Sequence, residues 1–175
     1  MHVQDRDAQI VKLRDNLRDY ARRPDLVTIL ERDSSTLTPD EIRAATGGRC
    51  QFVSVDGDHT MLGCLHDIRL AEAILAPAGV VAVDDICNMT CPGVVEAAVR
   101  YGTSPGSRLA PFLIAGNKLF MTQAEHCTSF REGILDRCRA GTMGDASKPI
   151  ADFAARMEAL QVPVQFIEQP VLIHP

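Results

Sequence analysis

Apolar positions along the chain switch between helical spacing and short unbroken runs. Ile10, Leu13, Leu17 and Tyr20 recur at helical spacing with Lys12, Arg14, Asp15 and Asp19 between them, which predicts an amphipathic helix over about 6–21, stopped by Pro24. Residues 27–30 read as a short strand running into Glu31-Arg32-Asp33-Ser34. Thr38-Pro39-Asp40-Glu41 has the form of a helix start, with Thr38 as N-cap, Pro39 in the first turn and Glu41 completing a capping box, and Gly47-Gly48 ends that short helix. Residues 50–55 form the next predicted strand. Met61, Leu65, Ile68, Ala71 and Leu75 then mark one face of a helix that Pro77 and Gly79 end, leading into a strand over 80–83.

Pro92-Gly93 opens another predicted helix, to about Tyr101, and 103–107 reads as a loop. Two apolar runs, 112–114 and 118–121, flank Ala115-Gly116-Asn117 and predict a hairpin with a three-residue turn. A helix near 129–139, a glycine-rich break at 141–144, a helix with Ile150, Phe153, Met157 and Leu160 on one face, and a last strand over 164–167 complete the pattern. Strand–helix alternation implies an α/β fold with a mostly parallel sheet, to which the C-terminal hairpin adds an antiparallel edge.

The 175 residues suit one domain, and 46% apolar content is enough to bury a core. Tryptophan is absent and aromatics make up 5%, so that core must be built from Val, Ile, Leu and Ala. The formal charge is −5 with no basic stripe, which argues against a nucleic-acid footprint. The chain begins with charged residues and has no apolar run of membrane-spanning length, so neither secretion nor membrane insertion is expected. The six cysteines form no Cys-x-x-Cys pair, and the histidines near Cys87 and Cys91 do not complete a zinc spacing. Free thiols in a reducing, cytoplasmic compartment are the expectation, with Cys50 and Cys64 as small core residues.

The chemistry gathers where two apolar runs stop abruptly in carboxylates. Phe52-Val53-Ser54-Val55 runs into Asp56-Gly57-Asp58-His59, and Val80-Val81-Ala82-Val83 into Asp84-Asp85. In open α/β sheets ligands bind at such strand ends. Asp56, Asp84 and Asp85 together suit one hard divalent cation such as Mg²⁺; Asp84 and Asp85 equally suit capping of a following helix or loop. Asp58 and His59 stand where a general base would meet a substrate hydroxyl, and His59 also suits a cap for the helix starting near Thr60. Asp33-Ser34-Ser35 reads either as contacts to a nucleotide or as a turn. His66 and His126 read as surface or internally satisfied histidines, and His2 and His174 carry no inference.

Taken in order, Asp33-Ser34, the segment from Phe52 to His59, Asp67, the segment from Leu75 to Asp85, and Pro92-Gly93-Val94 resemble the class I S-adenosylmethionine-dependent methyltransferases. The likeness is greatest to the metal-dependent O-methyltransferase branch that includes macrocin-type and cephalosporin-hydroxylase-like proteins, and it spans about residues 27–122. It implies a Rossmann-like sheet, S-adenosyl-L-methionine as cofactor and a small-molecule hydroxyl as acceptor. It also implies metal ligands at Asp56, Asp84 and Asp85, a base at Asp58 or His59, and cofactor contacts from Asp33, Ser34 and Asp56. The family's glycine-rich cofactor loop should precede the first helix, yet no Gly-x-Gly occurs, so the resemblance implies a single partial domain that lacks the first strands. Two alternatives accompany this reading. Asp56-Gly57-Asp58 is also the Asp-x-Asp of metal-dependent glycosyltransferases. A shortened sheet could instead be a non-catalytic remnant that forms homo-oligomers through exposed edges.

Overall fold

A computed structural model describes residues 3–162 and 164–174. The chain divides into two compact units, Met1–Arg32 and Asp33–Pro175. In the first, helix α1 (Val3–Tyr20) is followed by a single 3-10 turn at Pro24–Leu26. The strand expected over 27–30 does not form. No described segment of this unit pairs with it, and Val27 and Leu30 remain 45% and 42% exposed, so the run gains neither ladder hydrogen bonds nor burial. Arg14 of α1 forms an ion pair with Glu31 at the far end of this stretch.

The second unit opens with α2 (Pro39–Thr46), whose start is the expected capping box. Thr38 Oγ1 accepts from the Glu41 amide at 3.3 Å, and the Thr38 amide donates to Glu41 Oε2 at 2.9 Å. Then come β1 (Cys50–Val55), α3 (Met61–Ile74), β2 (Leu75–Val83), α4 (Pro92–Gly102), β3 (Leu109–Ala115) and β4 (Lys118–Gln123). The remainder is α5 (Cys127–Arg139), α6 (Ser147–Ala159) and three two-residue strands, β5 (Gln165–Phe166), β6 (Gln169–Pro170) and β7 (Leu172–Ile173).

The main sheet has the order β1-β2-β4-β3-β7. Strands β1 and β2 are parallel, as are β3 and β7, and the hairpin β3–β4 pairs antiparallel with β2. This is the expected α/β, Rossmann-like class. Strand β2 is covered on both faces, whereas Phe52 and Ser54 of β1 are exposed. Val81 and Val83 of β2 pack with Leu119, Met121, Ile68 and Ala97 in one cluster, while Val80 packs on the other side with Phe112, Phe120 and Phe130. Successive residues of a strand face opposite ways, so a strand buried on both sides must be apolar throughout, and 80–83 is. Phe112 and Phe130 stack at 4.9 Å between ring centres.

Three details differ from the sequence expectation. Pro77 and Gly79 do not separate helix from strand: α3 ends at Ile74 and β2 begins at once, taking both residues into an irregular stretch. There the pairing jumps from Cys50↔Leu75 to Phe52↔Val80, and Ala78 has φ 54°. Gly79 is required because a Cβ would stand 2.9 Å from the Ala76 carbonyl oxygen. The carbonyls turned out by the irregularity accept from Thr122 Oγ1 (Gly79 O, 2.8 Å) and Gln123 Nε2 (Ala76 O, 2.9 Å). The β3–β4 turn has two residues, not three: Ala115 pairs with Lys118, and Gly116 and Asn117 have φ 57° and 64°, a combination matching the twist of the flanking strands. Finally, the segment near 164–167 pairs only with β6, and it is β7 that extends the main sheet alongside Leu113 and Ile114.

Candidate active site at the strand ends

Parallel pairing of Val55 with Val83 brings the ends of β1 and β2 side by side. The Asp84 amide prolongs the ladder by donating to the Val55 carbonyl at 3.0 Å. Beyond it the chain reverses at Asp85, which takes a left-handed backbone conformation (φ 60°). That reversal sends the two neighbouring carboxylates to different partners. Asp84 forms an ion pair with Lys118, the first residue of β4, and Lys118 holds the Asp84 carboxyl below its ordinary range. Asp85 turns to the other side. Its Oδ1 accepts from Asn117 Nδ2 at 2.8 Å and Asn88 Nδ2 at 3.1 Å, while Oδ2 faces His59 Nε2 at 3.2 Å.

His59 is positioned from below. It directly precedes Thr60, the N-cap of α3, and the start of α4 passes so close that a Cβ on Gly93 would lie 2.6 Å from the His59 carbonyl oxygen. Its ring spans two partners: Nε2 meets Asp85 and Nδ1 lies 3.4 Å from the thiol of Cys91. Cys91 is the N-cap residue of α4, and its Sγ is also 4.0 Å from Asp85 Oδ2. Ligand atoms of His59, Asp85 and Cys91 all lie within 4.8 Å of one another. Asp56 stands at the open edge, with Oδ1 4.0 Å from His59 Nε2 and its side chain 58% exposed.

Asp58 does other work. Its carboxylate accepts from the Thr60 amide at 2.9 Å and the Thr60 hydroxyl at 2.7 Å, which lowers its pKa and secures the start of α3. Gly63 leaves room for this, since a Cβ there would meet Asp58 Oδ2 at 2.3 Å. Between the two residues expected as base, the lowered carboxyl is the poorer proton acceptor. With Asp58 bound to the helix start, the two carboxylates of Asp56-Gly57-Asp58 have different roles. The Asp33 charge lies near enough to Asp58 to oppose the lowering of its pKa. Asp33 itself accepts from the Ser35 amide and hydroxyl at 2.9 and 2.7 Å, capping a 3-10 turn at Ser34–Thr36, and the Ser34 carbonyl lies 3.3 Å from His66 Nε2 on α3.

The fold therefore brings Asp85, His59 and Asp56 together, sets the Asp33 charge within electrostatic reach of Asp58, places the Ser34 carbonyl at His66, and couples Asp84 to a lysine. Sequence reading passed over Cys91, Asn88, Asn117 and Lys118. Asn117, in a hairpin turn, was the readable signal: besides binding Asp85, its Oδ1 accepts from the Cys87 amide at 2.8 Å and its carbonyl from the Ile86 amide at 3.1 Å. A magnesium ion on Asp56, Asp84 and Asp85 fits incompletely, because the Lys118 ammonium already neutralises Asp84.

Residues 1–86 match the family model of a methyltransferase domain, 86 of the chain's 175 positions. That match supports a methyltransferase and takes in Asp33, Asp56, His59, Asp84 and Asp85, ending before Asn88, Cys91, Asn117 and Lys118. The searches of curated proteins and of solved structures return no match.

Proposed function

We propose that this chain is an S-adenosyl-L-methionine-dependent O-methyltransferase acting on the hydroxyl of a small molecule. The observation that carries the reading is the 3.2 Å contact between His59 and Asp85 at the ends of adjacent parallel strands, inside the segment that matches a methyltransferase domain. The cofactor supplies a methyl group made electrophilic by its sulfonium. Asp33 and Ser34 would hold its adenine end, and Asp56 would add a further contact. His59 donates Nε2–H to Asp85, an assignment made from its neighbours; Nδ1 lies 3.4 Å from the Cys91 thiol, so the acceptor hydroxyl must displace that thiol to reach the Nδ1 lone pair. As the acceptor oxygen forms the new C–O bond, its proton passes to Nδ1, and the carboxylate of Asp85 stabilises the imidazolium. The loop after Asp85 borders a cavity of about 690 Å³ lined by Ile86, Met89, Pro92, Val95 and Val99, which supports an acceptor with an apolar body.

The test is transfer of labelled methyl from S-adenosyl-L-methionine to a panel of phenolic and aliphatic alcohols by the full chain. Turnover lost in His59→Ala with S-adenosylhomocysteine binding retained supports the reading; absence of any S-adenosylhomocysteine binding sinks it. Divalent-ion dependence through Asp56, Asp84 and Asp85 requires Lys118 to release Asp84, and turnover that survives a chelator removes it. The sheet ends at β1, where Phe52 is 58% exposed, which supports self-association of two copies, measurable by sedimentation. Among the described residues no helix is long and apolar enough to cross a membrane.

A further inference from the structure

The donors that converge at the strand ends are not those of a magnesium site. They are an imidazole, a carboxylate and a thiol, and nitrogen and sulfur ligands select borderline transition ions over hard ones. We infer that His59, Asp85 and Cys91 form a binding site for a zinc-class divalent ion, with its remaining position open toward Asp56 and solvent.

The spacing supports this. Bond lengths of about 2.0–2.1 Å to nitrogen or oxygen and about 2.3 Å to sulfur put the ligand atoms of a tetrahedral ion on the order of 3.3–3.8 Å apart. One ligand atom from each residue lies within 4.8 Å of the other two, and Cys91 Sγ is 4.0 Å from Asp85 Oδ2. The nearer His59 contacts use different ring nitrogens, Nε2 to Asp85 at 3.2 Å and Nδ1 to Cys91 at 3.4 Å, so a single nitrogen must turn toward both partners to close the set around an ion. The outer partners are also in place. Asn88 and Asn117 both donate to Asp85 Oδ1, leaving Oδ2 aimed at His59 and Cys91, which is how ligating carboxylates are commonly held. Cys91 is 8% exposed and occupies the N-cap position of α4. His59 is 45% exposed, so one side of the site stays accessible. Cys91 and both asparagines lie beyond the matched segment 1–86.

Binding breaks the Cys91 S–H bond, forms a sulfur–metal bond and releases the proton to solvent. It also occupies a ring nitrogen of His59. If His59 is the base of methyl transfer, the ion therefore inhibits the reaction; that consequence rests on the proposed function, whereas the binding does not.

Co²⁺ titration of the full chain under reducing, anaerobic conditions tests the site without reference to activity. The expected result is a thiolate-to-cobalt charge-transfer band saturating at one equivalent, abolished by Zn²⁺ and unaffected by a large excess of Mg²⁺. Cys91→Ser removes the band and Cys87→Ser keeps it. Asn117→Gly weakens affinity by about 10–100-fold. X-ray absorption of the zinc-loaded wild type, which involves no variant that must fold, is expected to give a single sulfur ligand. No band, a band that survives in Cys91→Ser, displacement by Mg²⁺, or a zinc shell without sulfur overturns the site. Intact zinc binding in a chain that binds no S-adenosylhomocysteine would leave this inference standing and remove only the methyl-transfer reading.

Discussion

His59 Nε2 lies 3.2 Å from Asp85 Oδ2, although 26 positions separate the two residues in the chain. The contact exists because β1 and β2 run parallel in register, so that their ends, and the turns that follow, are neighbours. Asp85→Asn tests its chemical value. Asparagine tolerates the left-handed conformation at this position, so the fold should be kept while the charge that steadies the imidazolium is lost. The expected outcome is a fall in kcat/KM of about 10²–10⁴-fold with S-adenosylhomocysteine affinity little changed, read by steady-state kinetics and calorimetry.

Asn117 combines two roles that substitution separates. Its φ of 64° suits asparagine or glycine, and its side chain bonds both Asp85 and the Cys87 amide. Asn117→Ala should destabilise the chain by about 1 kcal/mol more than Asn117→Gly in urea unfolding, through backbone strain. Both variants lose the same bonds to the site, so both should lose a similar share of activity. Full activity in the glycine variant would mean that Asp85 needs no clamp.

Gly93→Ala places a methyl group 2.6 Å from the His59 carbonyl oxygen and 2.8 Å from the Met61 amide nitrogen. These are backbone atoms at the junction of α3 and α4 and have little freedom to move. A loss of about 1–3 kcal/mol is expected, accompanied by a changed His59 imidazole resonance in NMR.

The Asp84–Lys118 pair gives a pH signature. The Asp84 carboxyl is lowered mainly by its hydrogen bond from Lys118, and further by the Asp85 amide, relative to an ordinary value of 3.8. A carboxyl lowered in the folded state contributes stability in full above its unfolded value, and that contribution is lost as pH falls through the folded one. The stability gap between wild type and Lys118→Met should therefore be constant above that ordinary value and close as pH drops below it. Equilibrium unfolding from about pH 6 to 2 measures this.

Much of this architecture was legible in local pattern. The capping box at Thr38, the strand Cys50–Val55 and the helix opening at Pro92 were recoverable because each is set by adjacent residues. The two acidic strand ends were equally visible, since an apolar run that stops in carboxylates is a local event. What escaped was set by pairing at a distance. Residues 27–30 look like a strand and find no ladder; Pro77 and Gly79 look like a break and are absorbed into β2 because Thr122 and Gln123 receive the displaced carbonyls. The division of Asp84 from Asp85 depends on a left-handed residue and on a lysine 34 positions away. Cys91 was set aside on spacing rules for cysteine pairs, whereas its partners are a histidine and an aspartate reached through the fold.

The Gly116-Asn117 turn has one more implication. The strand pair β1–β2 and its connecting helix are complete in sequence by Val83, yet the amide that grips Asp85 arrives only with the hairpin. Until that hairpin is in place, the acidic ends have no side chain from β3–β4 to fix them. Docking of β4 against β2 would then act as the latch, because only that seam carries Asn117 to Asp85.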